Sequence, residues 1–175
     1  EASTTLATEL EHVRSQIKDM IRDKTASTAV TGFTFNNSTA QGKKFVNALT
    51  RLLLRAYNAE AENAIKTTKA GNLATAQARL SRAVDQIAKN GQMIDLRISP
   101  AFHRLRLKEI ELAHRHMKAL QNERDLERER RAELREQRQA EQELKKEQER
   151  LEKEKAHYQS TLATLQAKGD EAGIE

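Results

Sequence analysis

The sequence predicts an all-α fold, with a small helical core, a short strand or ordered loop at about residues 28–36 and a very long charged C-terminal helix that could form a coiled coil. Two observations predict this class. Charged residues make up 33% of the 175 residues and aromatic residues only 3%, with one Pro and no Trp, a composition that favours long helices over a β-sandwich or barrel. Apolar residues recur at helical spacing, and only about the first 120 residues carry enough of them to bury a core.

These patterns divide the chain into four parts. We predict an N-terminal amphipathic helix at residues 1–24, a helical core at 25–120, a charged helical stalk at 121–168 and the start of a linker at 169–175. Apolar residues are dense in the core and sparse in the stalk. One compact core with an extension is therefore expected.

The first helix is predicted from a single apolar stripe, and a segment of different character follows it. The stripe residues alternate at spacings of four and three: Leu6, Leu10, Val13, Ile17 and Met20. Ser3 or Thr4 could cap the start of this helix, and the polar run 23–27 could end it. Residues 28–35 are rich in β-branched and aromatic side chains, which predicts a short strand or loop that folds back onto the core.

The next two helices are predicted to form a hairpin. Apolar residues from Thr39 to Ala70 cover more than one helical face, so this helix should be the most buried, and Gly71 supplies its stop. Asn72 can cap a third helix, which keeps the 3.6-residue period as far as Ile87 and closes at Gly91.

The last helix has the strongest start in the chain. Ser99 and Pro100 are typical of an N-cap and a first helical residue, and no helix breaker follows until Gly169. The linker before it is predicted to cross the core because it is apolar at Met93, Ile94, Leu96 and Ile98. The first five turns of the helix should also belong to the core, through Phe102, Leu105, Leu107, Ile110, Leu112 and Met117.

The charged stalk is expected to be solvated. Of the 35 residues between Gln121 and Lys155, 11 are Lys or Arg and 12 are Asp or Glu, with both signs interspersed. A heptad frame gives a partial stalk seam, formed by Leu144, Leu151, Tyr158, Leu162 and Leu165. The remaining a positions of the frame hold polar or charged residues. Two such helices would therefore share only half of the usual apolar contact and pair weakly. Pairing along part of the helix and a free-standing helix both stay open, and we expect a homo-oligomer.

The positive charge of the chain lies in its core. Residues 1–120 hold 19 Lys and Arg against 11 Asp and Glu, whereas residues 121–175 hold 12 against 15. A basic core permits an acidic partner such as nucleic acid, although a solvated basic surface is the commoner explanation. The absence of Cys fits a reducing cytoplasm, and no apolar run approaches the roughly 20 residues that span a bilayer. We expect a cytoplasmic protein, membrane-tethered if an anchor lies upstream of Glu1.

The sequence contains no recognised catalytic motif, so we predict no catalytic residue, no metal site and no cofactor. There is no phosphate-binding loop, no nucleophile elbow and no H-E-x-x-H. The Glu-x-x-His spacing of di-iron bundles does occur, at Glu9–His12, Glu111–His114 and Glu154–His157. Glu-rich helices produce this spacing by chance. His103 is interpreted as a boundary residue that packs and hydrogen bonds in its neutral form.

Polar side chains on the second helix are the candidate partner or ligand residues, because they interrupt an apolar helix and need a neighbouring helix or a ligand to satisfy them. They are Arg55, Asn58, Glu60 and Glu62. Structural pairing is the favoured explanation. Basic residues of the same helix could line a phosphate-binding groove, namely Lys43, Lys44, Arg51 and Arg55. Single-strand binding normally adds stacking aromatic residues, and Tyr57 is the one close by.

Four segments carry a family resemblance: 42–44, 52–60, 87–91 and 105–111. Over about residues 25–160 the chain resembles the bacterial and phage family known as domain of unknown function 4041, which usually precedes a GIY-YIG-type nuclease domain. Three of the candidate residues fit the family pattern, Arg55, Asn58 and Glu60. Two positions depart from it, because Tyr57 stands where the family has Phe and Ala61 where it has Cys, so no role that needs that thiol is possible.

The resemblance implies a prophage or antiphage-defence setting. In that setting this segment would be a non-catalytic sensor and assembly domain that contacts a phage or host protein, oligomerises and regulates a downstream GIY-YIG-type nuclease domain. Two alternatives stay open. The segment could be a DNA-binding module that delivers substrate to the nuclease, with DNA held by the basic core, or it could be a purely structural coiled-coil spacer.

Overall fold

The computed structural model describes residues 2–68 and 72–173, and most of them are helical. The chain forms two compact units, Glu1–Glu123 and Arg124–Glu175. The predicted all-α class is confirmed, since the described residues form four helices and a single two-stranded sheet. The helices are α1 (Ser3–Arg22), α2 (Thr39–Thr67), α3 (Leu73–Asn90) and α4 (Pro100–Ala172), and the strands are β1 (Ser27–Thr28) and β2 (Arg97–Ile98).

Helix α1 buries the predicted stripe but is not capped as predicted. The stripe positions Leu6, Leu10, Val13 and Ile17 are all buried. The helix begins at Ser3 after Ala2, which makes no side-chain capping bond, so capping by Ser3 or Thr4 is wrong. After the helix, Lys24 adopts a left-handed conformation with φ 58°. Its N–H donates to the Ile21 carbonyl at 3.2 Å, a common way to satisfy the last carbonyls of a helix.

The strand predicted near residue 28 is present only as the two residues of β1. It pairs antiparallel with β2, with Ser27 opposite Ile98 and Thr28 opposite Arg97. The backbone N–H of Ser99 also donates to the Ala26 carbonyl at 2.9 Å, next to this pair. The short sheet therefore joins the end of α1 to the start of α4.

The loop after β1 folds back onto α2, as predicted. The Phe33 and Phe35 rings stack on Phe45, with centroids 5.7 and 5.5 Å away. The loop backbone comes so close to the helix that a Cβ on Gly42 would lie 1.9 Å from the Phe33 carbonyl oxygen. Only Gly fits at this crossing without moving the loop.

Helices α2 and α3 pack against each other, which agrees with the predicted hairpin. Helix α2 follows Ser38, whose hydroxyl accepts a backbone N–H at 3.3 Å, and ends at Thr67. The predicted end of this helix, Ala70 followed by Gly71, lies outside the described residues. Asn72 precedes α3 as predicted but makes no side-chain capping bond. Its Nδ2 instead donates to the Thr67 carbonyl at 3.2 Å.

The linker between α3 and α4 crosses the core, as its apolar residues predict. Ile94, Leu96 and Ile98 are at most 5% exposed. Met93 lies in the same short 3₁₀ helix as Ile94 but is 70% exposed. A 3₁₀ turn places consecutive side chains on different sides, so one of the two faces solvent.

Two predictions about burial are wrong, the burial of α2 on more than one face and the burial of Met117. Leu52 is 63% exposed because α2 buries one face instead of several. The buried face consists of Gly42, Val46, Leu53, Tyr57, Ala61 and Ala64. Met117 on α4 is 51% exposed, although Phe102, Ile110 and Leu112 of the same helix are buried. On α4 the fully buried apolar residues therefore end at Ala113, and Ala119 is only partly buried against the core.

The second unit is solvated along its whole described length. Every side chain described between residues 126 and 169 is exposed. Ion pairs at helical spacing occur here, at Asp125–Arg128, Glu127–Arg131 and Arg150–Glu154. Helix α4 continues through Gly169 to Ala172. Each helix in the described part of the chain is too short or too polar to cross a lipid bilayer.

Candidate functional site

Arg106 on α4 is the centre of a buried polar network. Arg106 is 7% exposed and Glu109 is 4% exposed. The Arg106 Nη1 donates to Glu109 Oε2 at 2.8 Å, and its Nη2 donates to Asn58 Oδ1 on α2 at 2.7 Å. The other carboxylate oxygen of Glu109 accepts from Arg14 Nε on α1 at 3.2 Å. The network therefore connects three helices through charged groups.

This network has the properties of a structural ion pair. The Arg106 guanidinium carbon lies 5.6 Å from the centroid of the Phe102 ring, so its flat face is covered by an aromatic side chain. Removing one partner of a buried pair leaves an uncompensated charge, at a cost of about 3–5 kcal/mol. Arg106 and Glu109 therefore connect α1, α2 and α4 by contacts that are costly to break singly.

A second polar chain runs from Tyr57 through His103 to Ser81. The Tyr57 hydroxyl lies 2.7 Å from His103 Nδ1, and Ser81 Oγ lies 3.3 Å from Nε2. Burial raises the pKa of Tyr57. Burial also lowers the pKa of His103, although the nearby Asp85 carboxylate opposes this shift. At neutral pH the imidazole is therefore uncharged and the phenol protonated.

The hydrogen-bond roles of His103 depend on which ring nitrogen carries its proton. With the proton on Nε2, Nδ1 accepts from the Tyr57 hydroxyl and Nε2 donates to Ser81 Oγ. With the proton on Nδ1, that nitrogen donates to the Tyr57 oxygen and Nε2 accepts from the Ser81 hydroxyl. In either tautomer the imidazole connects α2, α3 and α4 through both of its nitrogens.

The four candidate residues of α2 fall into two groups. Asn58 accepts from Arg106 in the buried network, and Glu60 forms an ion pair with Arg79 of α3 at 3.0 Å. Neighbouring helices therefore satisfy these two side chains, which is the favoured explanation in the sequence analysis. Arg55 and Glu62 are exposed and make no ion pair among the described residues. Solvent satisfies them, and they stay available to a partner.

The basic patch lies on the outside of the first unit. All four of its side chains are exposed: Lys43, Lys44, Arg51 and Arg55. At 100° per residue, Lys44, Arg51 and Arg55 lie within about 40° of one another around the axis of α2. None of the four forms an ion pair within the described part of the chain. The patch is therefore an uncompensated strip of positive charge.

The stalk seam is fully accessible. Its exposed fractions range from 56% for Leu151 to 71% for Tyr158. Leu126 and Leu134, in the same unit, are also exposed, at 56% and 47%. In residues 2–68 and 72–173, no three His, Asp or Glu side chains come together in a way that could hold a metal ion.

Arg14, Arg106 and Glu109 were not among the residues predicted from the sequence. A usable pattern was present, because Arg106 and Glu109 lie on the helical stripe formed by Phe102, Ile110 and Ala113. Charged residues inside an apolar stripe indicate a buried pair. Their partners, however, are 48 and 95 residues away in the chain.

Comparison with known families gives one correction. A family model described as "SNIPE associated domain" matches residues 3–121, more than half of the chain and nearly all of the first unit. The resemblance to domain of unknown function 4041 is therefore wrong, because the matching family is a different one. The GIY-YIG type of nuclease and the antiphage setting were implied by that resemblance alone, and they lose their support with it. No curated protein and no solved structure matches the chain.

Proposed function

The chain belongs to the SNIPE associated domain family, and from this membership we propose that it is a non-catalytic interaction and assembly module for the nuclease-like region with which such domains are associated. In this proposal the helical core contacts a protein partner, and the second unit brings two copies of the chain together. We also propose a cytoplasmic location, supported by the absence of Cys.

The observation that carries the proposal is the row of large apolar side chains in solvent on the second unit. All five residues of the stalk seam are more than half exposed. At 100° per residue they lie within about 60° of one another around the helix axis. A one-sided apolar row on an otherwise charged helix is the pattern that a partner helix covers. A second copy of the chain supplies such a helix.

The charges within the heptad frame favour an antiparallel pair. In a parallel pair in register, Glu141 would face Glu141 of the other copy, and Lys155 would face Lys155. Like charges at such positions repel each other. In an antiparallel pair each of these side chains faces an apolar d position of the other copy, and its charged end can reach solvent.

The polar groups of the core support a non-catalytic role. Arg106 and Glu109 compensate each other inside the core. His103 is held between Tyr57 and Ser81 through both of its ring nitrogens. The exposed polar residues Arg55 and Glu62 are suited to contact with a partner surface, because neither is engaged within the described chain.

The assembly part of the proposal is tested by the mass of the full chain in solution. We expect a dimer whose dissociation constant rises by at least about tenfold when Leu151 and Leu162 are both changed to Ser, since each loses a buried apolar side chain. The matched control changes Lys153 and His157, on the opposite side of the same helix, to Ser. A monomeric parent chain, or an equal effect of the control, would contradict the proposal.

A second candidate function is DNA binding by the basic patch. The observation that favours it is the strip of exposed, unpaired positive charge on α2. Contacts of Lys and Arg with phosphates make binding strongly salt-dependent. A gel-shift measurement at several salt concentrations tests this function. If the parent chain shifts the mobility of DNA in a salt-dependent way and the double variant Lys44→Gln with Arg55→Gln does not, DNA binding by the patch is supported. If the parent chain causes no mobility shift at any salt concentration, this function is excluded.

A further inference from the structure

The first unit contains a cavity whose apolar walls neither proposed function uses. It lies between the end of α1, the loop of residues 26–33 and α2, and its volume is about 990 Å³. Cavities of several hundred to about a thousand cubic ångströms are typical of small-molecule sites. All of the residues that line it belong to the first unit.

The walls of the cavity combine apolar with uncharged polar side chains, and its charges are all positive. The apolar side chains come from all three elements, and include Ile21, Val30, Phe33, Val46 and Leu54. Three cations also line the cavity, Lys24, Lys43 and Arg51, and no Asp or Glu does. None of the three forms an ion pair with a described residue. A ligand with an apolar body and a negative head would complement both features.

The backbone at Lys24 points to the same conclusion. Lys24 has φ 58°, in the region that Gly adopts most readily. Gly is the usual residue at this position after a helix, and a side chain there is strained. Strained residues are enriched at functional sites, and the strained residue here places a positive charge at the cavity.

We propose that this cavity binds an anionic amphiphile, a small molecule with an apolar chain and a single carboxylate or phosphate head. The head pairs with Lys24, Lys43 and Arg51, and the chain packs against the apolar walls. DNA does not fit this description, because its backbone offers phosphates without an apolar chain to fill the walls. The site therefore differs in chemistry from the basic patch, although Lys43 and Arg51 belong to both.

Calorimetric titration of the full chain tests the proposal with four probes below their micellar concentrations. Octyl phosphate and octanoate carry both parts of the ligand, and their relative affinities distinguish a phosphate head from a carboxylate head. Octanol lacks the charge, and inorganic phosphate lacks the apolar chain. We expect one molecule of an anionic octyl compound to bind per chain, at least about tenfold more tightly than octanol or inorganic phosphate.

Three variants and one control locate the site. We expect Arg51→Gln and Lys43→Gln to weaken binding by about tenfold each, the effect of losing one charge-assisted hydrogen bond. Lys24→Gly should also weaken binding but leave the melting temperature equal or higher, because Gly relieves the backbone strain. This combination separates lost binding from lost folding. Lys44→Gln is the matched control, since Lys44 is exposed on α2 but does not line the cavity.

The proposal is overturned if neither anionic octyl probe binds, or if octanol or inorganic phosphate binds as tightly as they do. It is also overturned if Lys44→Gln weakens binding as much as Lys43→Gln, because the effect would then be one of net charge. None of these results affects the dimer predicted from the stalk seam, so the two proposals fail separately.

Discussion

The Glu123 carboxylate on α4 caps the first turn of α1 through Ser3. One carboxylate oxygen accepts the backbone N–H of Ser3 at 3.0 Å, and the other accepts its hydroxyl at 2.8 Å. The first N–H groups of a helix have no partner within the helix, and they prefer a negative charge. A residue 120 positions away supplies both the acceptor and the charge.

We expect Glu123→Ala to lower the melting temperature at neutral pH. The difference in melting temperature between the parent chain and the variant should become smaller as the pH falls. The hydrogen bonds from the Ser3 backbone and hydroxyl lower the pKa of Glu123 below its ordinary value of 4.5. Its contribution to stability is therefore present above pH 4.5 and lost as the pH falls through the lower pKa of the folded state. Thermal unfolding between pH 7 and about pH 3 measures this, with exposed Glu62→Ala as the control. A difference that persists unchanged in acid would contradict the capping role.

The buried pair of Arg106 and Glu109 predicts strong coupling between two substitutions. We expect Arg106→Met alone to destabilise the chain by about 3–5 kcal/mol, because it leaves the Glu109 charge buried and less compensated. Adding Glu109→Leu should cost less than the sum of the single effects, since the double variant buries neither charge of the pair. Urea unfolding of the parent, the two single variants and the double variant measures the coupling. Additive changes in the free energy of unfolding would show that Arg106 and Glu109 do not stabilise the fold as a pair.

The lowered pKa of His103 predicts that the free energy of unfolding decreases in mild acid, before the carboxylates are protonated. Burial lowers the pKa of His103 below 6.5 in the folded state. Above pH 6.5 the group is neutral in both states and has no effect, whereas below it the unfolded state binds the proton more readily. Stability should therefore fall between pH 6.5 and the lower folded pKa. His103→Gln should flatten this part of the curve, and His12→Gln on the exposed side of α1 should not.

The Phe33 backbone lies so close to Gly42 that adding one methyl group there should lower the free energy of unfolding strongly. We expect Gly42→Ala to destabilise the first unit by about 1–3 kcal/mol, because the new Cβ overlaps the backbone of Phe33 and the loop must move. Gly169→Ala is the matched control, since nothing lies within 4 Å of its Cβ position. There we expect equal or higher helicity by circular dichroism. An unchanged unfolding free energy for Gly42→Ala would mean that the loop is free to shift.

Local patterns in the sequence predicted the elements well. Residues close together in the chain determine three of these features. They are the apolar stripe of α1, the end of α3 at Gly91 and the start of α4 at Ser99 and Pro100. Helical periodicity and capping preferences act over one or two turns, so a single sequence contains them. The exposure of Leu52 and Met117 was not predictable in this way, because it depends on which faces the neighbouring helices cover.

The polar contacts were harder to predict because each joins distant residues. Asn58 was identified as a polar group that needs a partner, but nothing near it indicates that the partner is Arg106. The β1–β2 pair is two residues long on each side, too short for the alternation that marks a strand. The cavity beside Lys24 results from the path of a loop, which periodicity does not describe.

The contact between Glu123 and Ser3 decides where this domain can be cut. The family match ends at residue 121, so a fragment made to that boundary lacks the carboxylate that completes α1. Such a fragment would keep every apolar residue of the core and still begin with a frayed helix. A recombinant domain should therefore extend at least one further turn along α4, so that its last residues support its first.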